Sequence, residues 1–177
     1  MAIGNLFLVG MMGSGKTTLG KALAGRLQHP FYDTDKVLVE RTGVPVATIF
    51  EIEGEAGFRR REALVLAELA RESDAVVATG GGAVLDPENR RMMHASGTVI
   101  YLRAKAEHLW ERLRHDTSRP LLSTPDPRAT LESILAVREP LYSECAHLTV
   151  DTGAQSAAVL VTRVVNALKR HQAGMAS

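Results

Sequence analysis

Apolar residues along this chain fall into short runs separated by longer stretches of helical periodicity. The runs at 5–10 (NLFLVG), 74–79 (DAVVAT), 97–102 (GTVIYL) and 147–151 (HLTVD) are brief and rich in β-branched residues. Such runs mark strands buried on both faces. A fifth run, HPFYD at 29–33, is a weaker strand candidate. The pattern predicts helices over 16–28, 36–53 in pieces, 55–72, 86–95, 105–113, 128–145 and 155–171. Strand and helix alternate, so the expected class is α/β, a largely parallel sheet covered by helices on both faces.

One segment breaks this rhythm. Residues 114–127 (RHDTSRPLLSTPDP) hold three prolines and two arginines between two helical stretches. The chain beyond is too short for a separate domain, so a lid over a site is a better reading than a linker. The terminal QAGMAS is expected to fray.

Composition narrows the function. With 177 residues and 45% hydrophobic content the chain can bury one core, so 1–177 is expected to form a single domain. Lysine plus arginine number 21 against 20 aspartate plus glutamate, so no large field draws nucleic acid or an anionic membrane. Cys145 is the only cysteine, which rules out an internal disulfide and a four-cysteine zinc site. The opening MAIGNLFLVG lacks a basic leader and no stretch approaches membrane-span length. A cytoplasmic protein with neither nucleic-acid nor membrane partner is expected.

The strongest chemical signal is GMMGSGKT at 10–17, a strand-loop-helix phosphate cradle. Its glycines let backbone N–H groups turn toward phosphate oxygens, and the following helix adds its positive end. The phosphate-binding set is Gly13, Ser14, Gly15, Lys16, Thr17 and Thr18. Lys16 would reach the β- and γ-phosphates, and the Thr17 hydroxyl would ligate Mg²⁺. No guanine-reading N-K-x-D and no D-x-x-G occurs, so this is no ordinary GTPase. The central strand 74–79 ends in threonine and glycines rather than a metal-binding carboxylate, and Asp151 lies at the last strand without functional neighbours.

The metal-side carboxylate is therefore sought at Asp33-Thr34-Asp35. Asp33 and Asp35 would lie at the sheet's C-terminal edge, where ligands of open α/β sheets bind. On extended chain, i and i+2 share a side, so both would face the nucleotide. One could serve metal-bound water and the other a hydroxyl nucleophile. The alternative is a turn that caps the helix starting near Lys36.

Taken together, GMMGSGKT, D-T-D, F-R-x-x-E (Phe58, Arg59, Glu62), T-G-G-G (79–82), R-P-L-L (119–122) and R-x-x-x-Y (Arg138, Tyr142) resemble the shikimate kinases, in order and spacing, over about residues 4–150. The resemblance implies a three-layer α/β/α P-loop kinase of nucleoside-monophosphate-kinase type, with a five-stranded parallel sheet and a mobile lid at about 112–127. It implies transfer of the ATP γ-phosphoryl group to the 3-hydroxyl of shikimate, with Mg²⁺ as cofactor, in chorismate and aromatic amino-acid synthesis. A monomer is expected. Asp33 is implied on the Mg²⁺ side, and Asp35 among the substrate hydroxyls as candidate base. The acceptor region would span about 33–62. Arg59 and Arg138 would clamp the substrate carboxylate, a task suited to the planar guanidinium. Gly81 and Gly82 would lie against substrate, Arg119 would be the lid arginine, and Arg112 would lie near the nucleotide.

Glu62 follows Arg59 by one helical turn and can orient it, while Arg60 and Arg61 read as solvent-facing. The six histidines are scattered in sequence with no metal-binding spacing. Trp110, Met92, Met93 and Cys145 read as packing. One stretch departs from the family: 151–158 (DTGAQSAA) lacks the arginine and proline common in its adenine loop, leaving Gln155 as candidate. Two rivals stand beside this reading. A gluconate-type kinase would share P-loop and lid without Arg59, the triple glycine and Arg138 together. A ligand sensor without turnover would be expected to lack Lys16, Asp35 or Arg119.

Overall fold

The computed structural model describes residues 4–175. Five strands, β1 (Asn5–Val9), β2 (Phe31–Asp33), β3 (Val76–Ala78), β4 (Gly97–Arg103) and β5 (Leu148–Asp151), form one parallel sheet in the order β2-β3-β1-β4-β5. β1 is buried at all five positions because both sheet faces are covered. Its side chains alternate accordingly. Leu6 and Leu8 pack with Leu19 and Leu23 of α1 (Lys16–Leu27) and Leu160, Val164 and Leu168 of α7 (Ala157–Met175). Phe7 and Val9 join the opposite core with Val65 and Leu66 of α3 (Val46–Leu69), Met93 of α4 (Pro87–Ser96), Leu109 of α5 (Ala106–Leu113) and Leu131 of α6 (Pro127–Cys145). The three expected layers are present.

The helix after β1 covers one face and the helix after β3 the other. The chain therefore diverges between these neighbouring strands, which places the loops after β1 and β3 at a topological switch point. Those loops carry the phosphate cradle and the triple glycine.

Local differences from the sequence pattern have local causes. α2 (Thr34–Thr42) starts two residues earlier than expected because Asp33 caps it, and it ends at Gly43 with φ 71°. α3 is broken at Gly54, whose φ of 70° and ψ of −179° belong to glycine, so the two expected helices meet there. The expected tail is helical through Met175, while residues 176 and 177 lie outside the described residues. The segment 114–127 contains a 3-10 turn, Pro120–Leu122, and Leu122 is buried in the core, so this stretch is tethered midway. Among the described residues no helix is long and apolar enough to cross a membrane.

Candidate active site

The phosphate cradle follows β1 directly. Gly15, at φ 95°, turns the chain into α1 with no side-chain cap, so the first N–H groups of that helix are left for a ligand. Ser14 Oγ is buried without a hydrogen-bond partner among the described residues. Lys16 is folded over the loop, its Nζ donating to the carbonyl oxygens of Gly10 (2.7 Å) and Met11 (2.9 Å). Burial lowers its pKa from 10.5 to about 8, with Asp35 opposing that shift. Gly13, Ser14, Gly15 and Lys16, with Thr17, Thr18, Asp33, Asp35, Arg112 and Arg119, line a cleft of about 1040 Å³.

Asp33 and Asp35 do not share an extended segment. Asp33 ends β2, whereas Asp35 lies in the first turn of α2, so the i, i+2 argument fails. The strand ends at Asp33, as the run 29–33 predicts, and the helix follows at once because Asp33 Oδ1 accepts from the N–H groups of Asp35 (3.0 Å) and Lys36 (3.3 Å). Its Oδ2 accepts from the Thr17 hydroxyl at 2.6 Å. Asp33 thus caps the helix and faces the phosphate loop at once. Asp35 reaches the same cleft from the helix. Its Oδ1 is buried with no partner among the described residues, and burial, then Asp33, raises its pKa above the ordinary 3.8. Between them Thr34 is fully buried, and its hydroxyl accepts from the Gly80 N–H at 3.0 Å, tying α2 to the glycine turn. The middle letter of D-T-D was the only signal for it.

Beyond Asp35 the cleft passes into a smaller pocket of about 70 Å³ lined by Arg59, Glu62, Gly80, Gly81, Gly82, Arg119 and Arg138, among others. Arg59 donates to Glu62 Oε2 at 2.8 Å, and Glu62 is 0% exposed, so the expected orienting pair forms. Glu62 Oε1 and Arg59 Nε have no partner among the described residues. The glycines make room chiefly for protein groups. A Cβ on Gly80 would stand 2.2 Å from Glu62 Oε1, and one on Gly82 would stand 2.3 Å from the Arg59 guanidinium carbon. A Cβ on Gly81 would meet Arg138 Nη1 and the Met12 amide, both at 3.3 Å. Arg138 itself is buried on α6. Arg61 is exposed as expected and pairs with Glu53, while Arg60 is exposed too.

Arg112 bridges two backbone segments, donating to the carbonyl oxygens of Gly13 (2.8 Å) and Gly153 (3.1 Å). Gln155 turns back on its own loop, its Oε1 accepting from the Gly153 N–H at 2.9 Å. Arg119 lines both cavities, and its Nε lies 3.2 Å from Asp116 Oδ2. Asp116 escaped the sequence reading, although it stands three residues before that arginine. Asp151 pairs with Arg103 on the surface and is no metal ligand of the cleft.

The histidines are less scattered in space than in sequence. His94 and His147 stack at 3.9 Å, and His171 meets His147 edge-on at 5.6 Å. Among the described residues, no group of three or more His, Cys, Asp or Glu side chains is arranged to hold a metal. That does not count against Mg²⁺, which keeps waters and substrate phosphates around one or two protein oxygens. The Thr17 hydroxyl and Asp33 carboxylate, in contact beside the phosphate loop, are donors of that kind.

A parallel sheet with a P-loop at its switch point, opening onto a smaller pocket lined by arginines, defines a P-loop small-molecule kinase. The sequence model of the shikimate kinase family matches residues 12–169. The chain is 58% identical to a shikimate kinase of Dechloromonas aromatica over 83% of this chain and 80% of that one. It is 52% identical to one of Burkholderia pseudomallei over 93% and 90%. The solved shikimate kinase from Acinetobacter baumannii in complex with shikimate superposes with a TM-score of 0.93 at 40% identity, covering 95% of this chain and 94% of that one. The chain belongs to the shikimate kinase family, ATP-dependent phosphotransferases.

Proposed function

We propose that this protein transfers the γ-phosphoryl group of ATP to the 3-hydroxyl of shikimate, with the roles divided as follows. The phosphate loop from Gly13 to Thr18 cradles the nucleotide, and Lys16 leaves its two carbonyl partners to meet the β- and γ-phosphates. Thr17 and Asp33 would hold Mg²⁺, which when bound neutralises phosphate charge. Arg59 and Arg138 receive the shikimate carboxylate. Gly81 and Gly82 border the same small pocket. Asp35 accepts the 3-hydroxyl proton as that oxygen bonds to the γ-phosphorus and the bond to the ADP oxygen breaks. Arg119, carried by the segment at about 112–127, acts as a lid arginine that neutralises the transferring group and closes the cleft against water. A monomeric enzyme is part of this reading.

The observation that carries this reading is the position of Asp35. Its buried, unpartnered carboxylate oxygen borders both the nucleotide cleft and the acceptor pocket. A gluconate-type acceptor would have little use for the two-arginine pocket, and a sensor would have little use for Lys16, Asp35 and Arg119 in one cleft. The test is ADP release from Mg·ATP with shikimate, quinate, gluconate or no acceptor. Release with shikimate alone is expected. Folded, ATP-binding protein that turns over with none of them would favour the sensor.

A further inference from the structure

Tyr142 has no part in the transfer just described, yet its side chain is wholly buried where the parts of the site meet. It follows Arg138 by one turn of α6. Its hydroxyl donates to the Gly81 carbonyl oxygen at 2.6 Å and lies 3.8 Å from Met11 Sδ in the phosphate loop. Its ring stacks on Tyr101 of β4, with centroids 5.1 Å apart, so the phenol is held from behind. Burial pushes its pKa up, against the pull of Arg138, so the hydroxyl is a neutral donor at any working pH.

A trans peptide carries its C=O and N–H on opposite edges. Holding the Gly81 carbonyl toward Tyr142 therefore turns the Gly82 N–H away from it. That N–H has no acceptor among the described residues, and Gly82 lines the 70 Å³ pocket that also holds Arg59 and Arg138. Between two glycines a peptide plane rotates at little steric cost unless something fixes it.

We propose that Tyr142 is a positioning residue for the acceptor: its hydroxyl locks the Gly81–Gly82 peptide so that the Gly82 N–H becomes a fixed donor to an oxygen of the anionic substrate. This rests on the acceptor reading above and adds a residue to it.

Tyr142→Phe removes the hydroxyl and keeps the ring. The shikimate KM is expected to rise about five- to twentyfold, the worth of one hydrogen bond, with ATP KM and kcat within about twofold. A merely structural role would lower the Tm and disturb both KM values alike. Equal shifts in the two KM values, or an unchanged shikimate KM, would overturn the proposal. A second measurement does not depend on the variant folding. In wild-type protein with isotope-labelled glycine, the Gly82 amide resonance should move on saturation with shikimate, and a resonance that stays put refutes the proposal. No shikimate-dependent ADP release from wild type would overturn the acceptor reading and this inference together. Wild-type turnover with unchanged Tyr142→Phe kinetics would overturn the inference alone.

Discussion

The Thr17 hydroxyl donates to Asp33 Oδ2 at 2.6 Å, joining the first turn of α1 to the end of β2. The other oxygen of Asp33 caps α2. The two duties separate under Asp33→Asn, since asparagine caps a helix about as well as aspartate. Stability should fall by less than about 0.5 kcal/mol. The Mg²⁺ concentration for half-maximal ADP release should rise at least about tenfold, because the amide lacks the charge a hard cation prefers. An unchanged Mg²⁺ titration would remove Asp33 from the metal site.

Asp35 stands in contrast, since its side chain has no hydrogen-bond partner among the described residues. Asp35→Asn should lower kcat by about two to four orders of magnitude, the usual worth of a positioned base. ATP binding by calorimetry should persist, and full turnover in the variant would leave the hydroxyl proton without Asp35 as its acceptor.

Lys16 gives the pH dependence. In the free enzyme its pKa lies near 8, below the ordinary 10.5. It binds phosphate as the cation, so kcat/KM for ATP should fall as pH rises through about 8. With ATP bound the phosphates hold the proton, and kcat should stay level there. The stability effect has the opposite sign. Between pH 8 and 10.5 the unfolded chain binds the extra proton, so this group makes the ligand-free protein more stable as pH rises through that window. Asp35 works the other way, its raised pKa removing stability as pH rises from 3.8. A kcat/KM for ATP that is flat to pH 9.5 or above would contradict the assignment of Lys16.

The acceptor clamp is tested by separating the two substrates. Arg138→Ala should weaken shikimate binding about a hundredfold, the worth of a charge-assisted pair, and leave ATP binding nearly intact. Gly82→Ala should mimic part of that loss without removing a charge, because the new methyl would displace the Arg59 guanidinium. Isothermal titration with each ligand reads both effects, and equal losses for the two ligands would argue against a clamp.

The sheet was legible because β1, β3 and β4 are covered on both faces, which writes a continuous apolar run into the sequence. β2 was faint since its three residues are only half-buried. The phosphate loop was legible because its chemistry is local to eight consecutive residues. The course of the chain at Asp33-Thr34-Asp35 was not, since strand and helix compete there and the Asp33 cap decides for the helix. The neighbours of Gly80 lie on α2 and α3, those of Gly82 on α3, and the partner of Gly81 lies on α6, 61 residues along the chain, so no window shows them. The histidine cluster escaped for the same reason, its members coming from α4, the approach to β5 and α7.

Arg119 supplies the last prediction. Its guanidinium is half-exposed and tethered to Asp116, which is itself held by the Ser118 N–H at 2.8 Å and hydroxyl. An arginine waiting at the rim between two cavities should matter most while charge is moving. Arg119→Ala should lower kcat by about three orders of magnitude and change either KM little. Asp116→Asn should give a smaller loss in kcat, since the charge is lost and the single amide oxygen can accept from Ser118 or from Arg119 Nε but not at both positions. Single-turnover quench-flow with saturating substrates isolates the transfer step. A slower transfer step in both variants, larger in Arg119→Ala, fits an arginine that neutralises the moving phosphoryl group. Normal single-turnover rates with weakened ATP binding would make Arg119 a nucleotide-binding residue and nothing more.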